Sequence, residues 1–147
     1  MKKTVKALLL TTILSLTFAS AAFAGDVHEN PQNDFPHQAV VVSPGTFKSG
    51  YVGPSDQDWY KFTPYLSGQQ RIFFLPPDNQ VYFINIYDAA QVDSGSSASP
   101  IASKVVYNGY NQTNEFSFNV QGGKAYYALV YGSTNETTPY HFAVIGQ

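Results

Sequence analysis

SGYVGPSDQDWYKF, residues 49–62, holds two short strands, a tight turn and the densest acidic pair of the chain. Before the turn, Thr46 to Val52 alternates, with Phe47 opposed in phase to Lys48. After it, Asp58 to Phe62 alternates again, so that Tyr60 and Phe62 share one face while Trp59 and Lys61 share the other. Between them, Gly53-Pro54-Ser55-Asp56 is turn chemistry: glycine tolerates unusual backbone angles, proline presets one, and aspartate bonds its own backbone. A period of two on both sides of a sharp turn reads as strand, turn, strand.

The same grammar extends in both directions. Upstream, Ala39 to Val42 is a short apolar run stopped by Ser43-Pro44-Gly45. Downstream, Arg71 to Leu75 is closed by Pro76-Pro77, Val81 to Tyr87 by Asp88, and Ala102 to Tyr107 follows a low-complexity loop, Ser94 to Ser99. Glu115 to Val120 sets Phe116, Phe118 and Val120 on one face, with Ser117 and Asn119 on the other. Gln121-Gly122-Gly123 turns the chain into Ala125 to Tyr131, apolar on both phases as a central strand is, and Tyr140 to Ile145 closes it. No stretch after Gly25 sustains a helical period. The expectation is an all-β, antiparallel two-sheet sandwich, jelly-roll-like, with eight or nine strands.

Lys2, Lys3 and Lys6, an apolar run from Ala7 to Phe18 and Ala22-Phe23-Ala24 form a basic head, a short apolar core and a small-residue cleavage site. Residues 1–24 therefore read as a signal peptide and residues 25–147 as one domain, exported to the periplasm or secreted. The apolar run is too short for a membrane anchor. The whole chain carries a formal charge of −2 and loses three lysines with the leader, a balance that argues against nucleic acid and anionic lipid as partners. With no cysteine, a disulfide framework is excluded, and stability must come from the core or a bound metal. Residues 25–38, GDVHENPQNDFPHQ, are polar and broken by Pro31 and Pro36, an irregular lead-in.

Catalytic motifs are missing. The sequence has no Gly-x-Ser-x-Gly, no His-Glu-x-x-His and no phosphate-binding loop. His28 and His37 fall in the lead-in, and His141 falls on the outer phase of the last strand. Asp56 and Asp58 lie too close along one turn to serve as the paired carboxylates of a glycosidase. A binding role is expected instead. Trp59, outward in phase, together with Tyr107 and Tyr110 forms a candidate aromatic ligand-binding group, the alternative being that Trp59 covers an open end of the sandwich.

Four pieces recur in order: ENPQNDFPHQA, SGYVGPSDQDWYKF, SGQQRIFFL, and GGKAYYALVYG with YHFAVIG. Together they resemble the bacterial pre-peptidase C-terminal domain, the sandwich also found as the collagen-binding module of secreted collagenases. The resemblance implies an accessory module that recognises protein or polysaccharide. It also implies action in trans on a secreted peptidase, and a calcium site between lead-in and turn. Carried over, that site is Glu29, Asn33, Asp34, Asp56 and Asp58. These are oxygen donors of the type calcium takes. Pro31 stands where metal-binding members carry a second glutamate, and the two turn aspartates are more closely spaced than in the collagen-binding members. The other reading of Asp56 and Asp58 is that they cap the turn through backbone N–H groups.

The centre, Gly50-x-x-Gly53-x-x-Asp56-x-Asp58-x-Tyr60, and Gly123-Lys124-Ala125-Tyr126 also resemble the periplasmic inhibitors of goose-type lysozyme. That resemblance implies a lysozyme, or another hydrolase, as partner, contacted through Gly132 to Pro139. GSTNETTP carries one acid and no Arg or Lys there, which ranks this reading second.

Overall fold

The computed structural model describes residues 32–107 and 114–146. Nine strands run in order: β1 (Val40–Val41), β2 (Phe47–Val52), β3 (Asp58–Phe62), β4 (Gly68–Leu75), β5 (Val81–Asp88), β6 (Ala102–Tyr107), β7 (Glu115–Val120), β8 (Tyr126–Gly132) and β9 (Asn135–Ile145). They form a five-stranded sheet, β1-β3-β8-β5-β6, and a four-stranded sheet, β2-β9-β4-β7. The two-sheet, all-β expectation holds. One pair departs from it: β1 runs parallel to β3, with Val40 opposite Tyr60.

Alternation decides what fills the core. Tyr60 and Phe62 point inward from β3, Tyr82, Ile84 and Ile86 from β5, and Tyr140, Phe142 and Val144 from β9, all at most 3% exposed. Aromatic rings from the two sheets interleave, Tyr60 on Phe142 at 4.7 Å and Phe74 on Tyr82 at 5.5 Å. Each such ring contributes roughly 1.5–3 kcal/mol by leaving water.

Two elements were not foreseen. Pro36–Gln38 forms a 3-10 turn, and Ala89–Asp93 forms a one-turn helix, α1. Asp88 caps α1, its Oδ1 accepting from Ala90 N at 3.0 Å. The sequence Asp88-Ala89-Ala90 is a helix-start signal that a five-residue segment is too short to turn into a period. Strands β4 and β9 also begin earlier than the alternation showed, at Gly68 and Asn135.

The core holds a polar thread. Tyr60 Oη lies 2.5 Å from Tyr140 Oη, and Tyr140 donates to the Asp58 carboxylate, so the chain of donation runs Tyr60 to Tyr140 to Asp58. Tyr82, fully buried, has a hydroxyl with no hydrogen-bond partner among the described residues. Burial, reinforced by the charge of Asp58, pushes the Tyr82 phenol up to about 12. Burial first, and then Tyr60 and Asp58, raises Tyr140 well above the ordinary phenol value. An unfolded tyrosine titrates near pH 10. Below that pH both states are neutral and the stability is fully present. Above it the unfolded chain loses protons that the folded chain keeps, so stability falls by about 1.4 kcal/mol per pH unit for each of the two phenols. An alkaline titration followed by tyrosinate absorbance should therefore show some of the chain's 11 tyrosines, Tyr82 and Tyr140 among them, still protonated at pH values where ordinary phenols have ionised. Ionisation of all of them in the folded protein would contradict this assignment.

Candidate functional site: the outer face of the five-stranded sheet

Since Tyr82, Ile84 and Ile86 face the core, β5 sends Val81, Phe83, Asn85 and Tyr87 to the other side. Cross-strand register extends this face. Tyr131, Phe83 and Val105 form one row, Leu129, Asn85 and Ser103 the next, and Val81 pairs with Tyr107 at the end. Trp59 of β3 lies opposite Leu129. Trp59 and Tyr107 thus stand on one face of one sheet, as their proposed common role requires, although β8 and β5 lie between their strands. Tyr110 and Glu29 lie outside the described residues, as do the signal-peptide residues and His28.

The face has a covered half and an open half. Trp59, outward in phase and open to either a ligand-stacking or a covering role, is only 8% exposed. It packs with Tyr127, Leu129 and Ala89, and Ala39 and Val92 complete the cover. The phase read from the sequence is right, and the burial comes from α1, which lies across the outer face. Two ion pairs flank α1: Lys124 with Asp88 at 2.6 Å, and Lys61 with Asp93 at 3.7 Å. The Lys124 hydrogen bond holds Asp88 below the usual carboxylate value, and Asp88 in turn raises Lys124. The first pair therefore persists above the ordinary carboxylate range and is lost as pH falls through the lowered value. Tyr127 donates to Asp93 at 2.8 Å and receives a bond from Lys61 at 3.2 Å. That bond is the main cause of a raised Lys61, whereas burial is the main cause of a raised Tyr127.

On the open half, Phe83 and Tyr131 pair at 5.2 Å with planes 17° apart. Phe83 is 38% exposed, Val105 57% and Tyr107 42%. Asn85 Nδ2 donates to Tyr87 Oη at 3.3 Å and Tyr131 Oη at 3.5 Å, and Tyr107 donates to Asn79 at 3.4 Å. None of the outward positions on β5, β6 and β8 is charged. What remains is a surface of rings edged by amide and hydroxyl groups. The residues missed from the sequence are Phe83, Asn85, Val105 and Tyr131. Both phases of β5 and β8 are rich in apolar residues, so alternation could not say which phase faced water.

Four of the five expected calcium donors lie among the described residues, and hydrogen bonds dock the lead-in on the start of β3. Asp56 takes the capping role, accepting from Gly53 N at 3.0 Å and Gln57 N at 2.8 Å, with Ser55 at φ 64° in the turn. Asp58 points into the core to Tyr140. Asn33 brackets the Trp59 backbone, accepting from Trp59 N at 2.8 Å through its main-chain carbonyl and donating from Nδ2 to Trp59 O at 3.1 Å. Asp34 has a buried Oδ1 with no hydrogen-bond partner among the described residues. Among those residues no three His, Cys, Asp or Glu side chains gather as a metal-holding group, and Glu29, the fifth expected donor, lies outside them.

Two other features compete for function. Tyr65, 78% exposed, stands between two shallow grooves of about 310 Å³ each, bordered by Val41, Pro44, Pro64 and Leu66. This end of the sandwich is apolar, and the amide of Gln70 beside it is spent on Ile145 O and Arg71 O. Ser49 Oγ lies 2.8 Å from His141 Nδ1 on the outer face of the other sheet. Among the described residues no carboxylate is hydrogen-bonded to His141 as the third member of a catalytic triad would be. The segment Gly132 to Pro139 is mostly strand: β8 ends at Gly132 and β9 begins at Asn135, leaving Ser133-Thr134 as the link.

Among solved structures, the chain matches CorA, described as a surface-associated copper-binding protein important in copper acquisition by Methylomicrobium album BG8. The match has a TM-score of 0.50 at 8% identity and covers 74% of this chain and 98% of that one. The chain shares that fold. It also matches the pre-peptidase C-terminal domain of a collagenase from Bacillus anthracis, the domain the sequence motifs resemble, at a TM-score of 0.49 and 21% identity over 76% of this chain and 99% of that one. No family model matches the sequence, and no curated protein does. At these identities what is shared is the sandwich, and the site rests on this chain's own residues.

Proposed function

We propose that this protein is an exported, non-catalytic binding module that holds an extracellular polymer, protein or polysaccharide, against the open half of the five-stranded sheet. The leader-like residues 1–24 support export. The single observation that carries the reading is the uncharged surface of Phe83, Tyr131, Val105 and Tyr107 left outside the cover of α1. Rings that are apolar on one side and wet on the other are recognition surfaces. Here they stand on a rigid sheet, so binding orders few side chains. The face itself uses none of the expected calcium donors, which lie in the lead-in, the turn and β3.

The purified protein should be retained by at least one insoluble extracellular polymer in a panel spanning polysaccharides and structural proteins. Val105→Asp places a charge among the rings at a position 57% exposed, where folding is affected by about 0.5 kcal/mol or less. Retention should fall roughly tenfold, the effect of about 1.4 kcal/mol. Retention unchanged in this variant would remove the face from the proposal.

A further inference from the structure

We propose that the polymer is a neutral glycan chain; this rests on the binding face assigned above and specifies its ligand class. The face alternates two kinds of row. Tyr131, Phe83 and Val105 present carbon surface, while the next row, two residues along the strands, holds the Asn85 amide and the Ser103 hydroxyl beside the buried Leu129. Tyr107 adds a phenol beside them. The two rows lie about 7 Å apart along the strands, and the face is about 10 Å wide across β8, β5 and β6. A pyranose ring has the matching build, with C–H faces that stack on aromatic carbon and a rim of hydroxyls that both donate and accept. Ser103 can answer either way, because a hydroxyl both donates and accepts, while Asn85, its Nδ2 turned to the Tyr87 and Tyr131 hydroxyls, offers Oδ1 as an acceptor.

Charge decides between ligand classes. With no cation on the open face, an acidic glycan would lose hydration without gaining an ion pair, and the chain's formal charge of −2 repels it at longer range. A protein partner is best held by a broad apolar centre with a polar rim. Here the exposed apolar row is narrow, with Asn85 and Ser103 next to it along the strands.

Native gels containing a soluble neutral β-glucan, a neutral galactomannan, polygalacturonate or gelatin separate the cases. A neutral glycan should retard the protein, and the association constant should drop roughly tenfold or more in Phe83→Ala and in Asn85→Ala. Should Phe83→Ala fail to fold, Val105→Ala reads the same row. Retardation by gelatin alone, lost in Phe83→Ala, would overturn the glycan and keep the binding face. Retardation by polygalacturonate in preference to the neutral polymers would overturn neutrality. No retardation by either neutral glycan, or retardation indifferent to Phe83 and Asn85, would overturn the proposal.

Discussion

Gly132→Ala is expected to destabilise the fold by about 3–5 kcal/mol, lowering the thermal midpoint by roughly 10 °C or more. Gly132 ends β8 at φ 155°, directly against β5. A Cβ there would lie 2.7 Å from Tyr82 Cα and nearer still to the Val81 carbonyl oxygen. Neither contact is with a side-chain tip that could swing away. The strands would have to separate, and Ser133 N would lose its 2.8 Å bond to Val81 O. Gly123→Ala is the control. Its φ of 75° is also positive, but nothing lies within 4 Å of the added atom, so only the backbone cost of about 1 kcal/mol remains. Urea melts of the two variants measure the difference. Equal losses would show that β5 and β8 can yield at this point. The site feels the same contact, since Phe83 and Tyr131 are held in register by this strand pair.

Tyr140→Phe is expected to cost about 3 kcal/mol, because its hydroxyl is the donor to the buried Asp58 carboxylate and the neighbour of Tyr60. The ring itself would stay stacked on Phe74, so the loss is polar and not one of packing. Gly50 opposite it shows how closely the ring is seated: a Cβ on Gly50 would come within 2.6 Å of Tyr140 Cζ. Tyr82→Phe should behave in the opposite way. Its buried hydroxyl has no partner among the described residues, and removing it is expected to be neutral or stabilising by up to about 1 kcal/mol. Chemical denaturation with unchanged m-values would read both. Equal destabilisation by the two substitutions would mean that ring size, and not the Tyr60–Tyr140–Asp58 thread, sets the stability here.

The fold was legible where alternation was clean. Strands β3, β6 and β7 have the bounds expected, because Tyr60 and Phe62, or Phe118 and Val120, alternate with residues of the other phase. Legibility failed where local chemistry and tertiary context diverged. Asp58 opens β3 as expected, but in place of capping the turn it points at the core, since Tyr140, 82 residues away, supplies its donor. The alternation with Tyr60 shows Trp59 as outward, but its cover, Ala89 and Val92 of α1, comes from a segment with no helical period to announce it. The β8 sequence is apolar on both phases, so the face bearing Tyr131 looked the same as the face bearing Val130 until the register with β5 was known.

The central claim is that the open half of the five-stranded sheet is where this protein meets its ligand. The most direct measurement is amide chemical-shift mapping of the protein, titrated with a soluble fragment of whichever polymer retains it. The account predicts the largest shifts at Phe83, Asn85, Val105 and Tyr131, with Trp59 changing little beneath α1. Shifts centred on Tyr65 and Leu66, or on Ser49 and His141, with β5 and β6 silent, would contradict it.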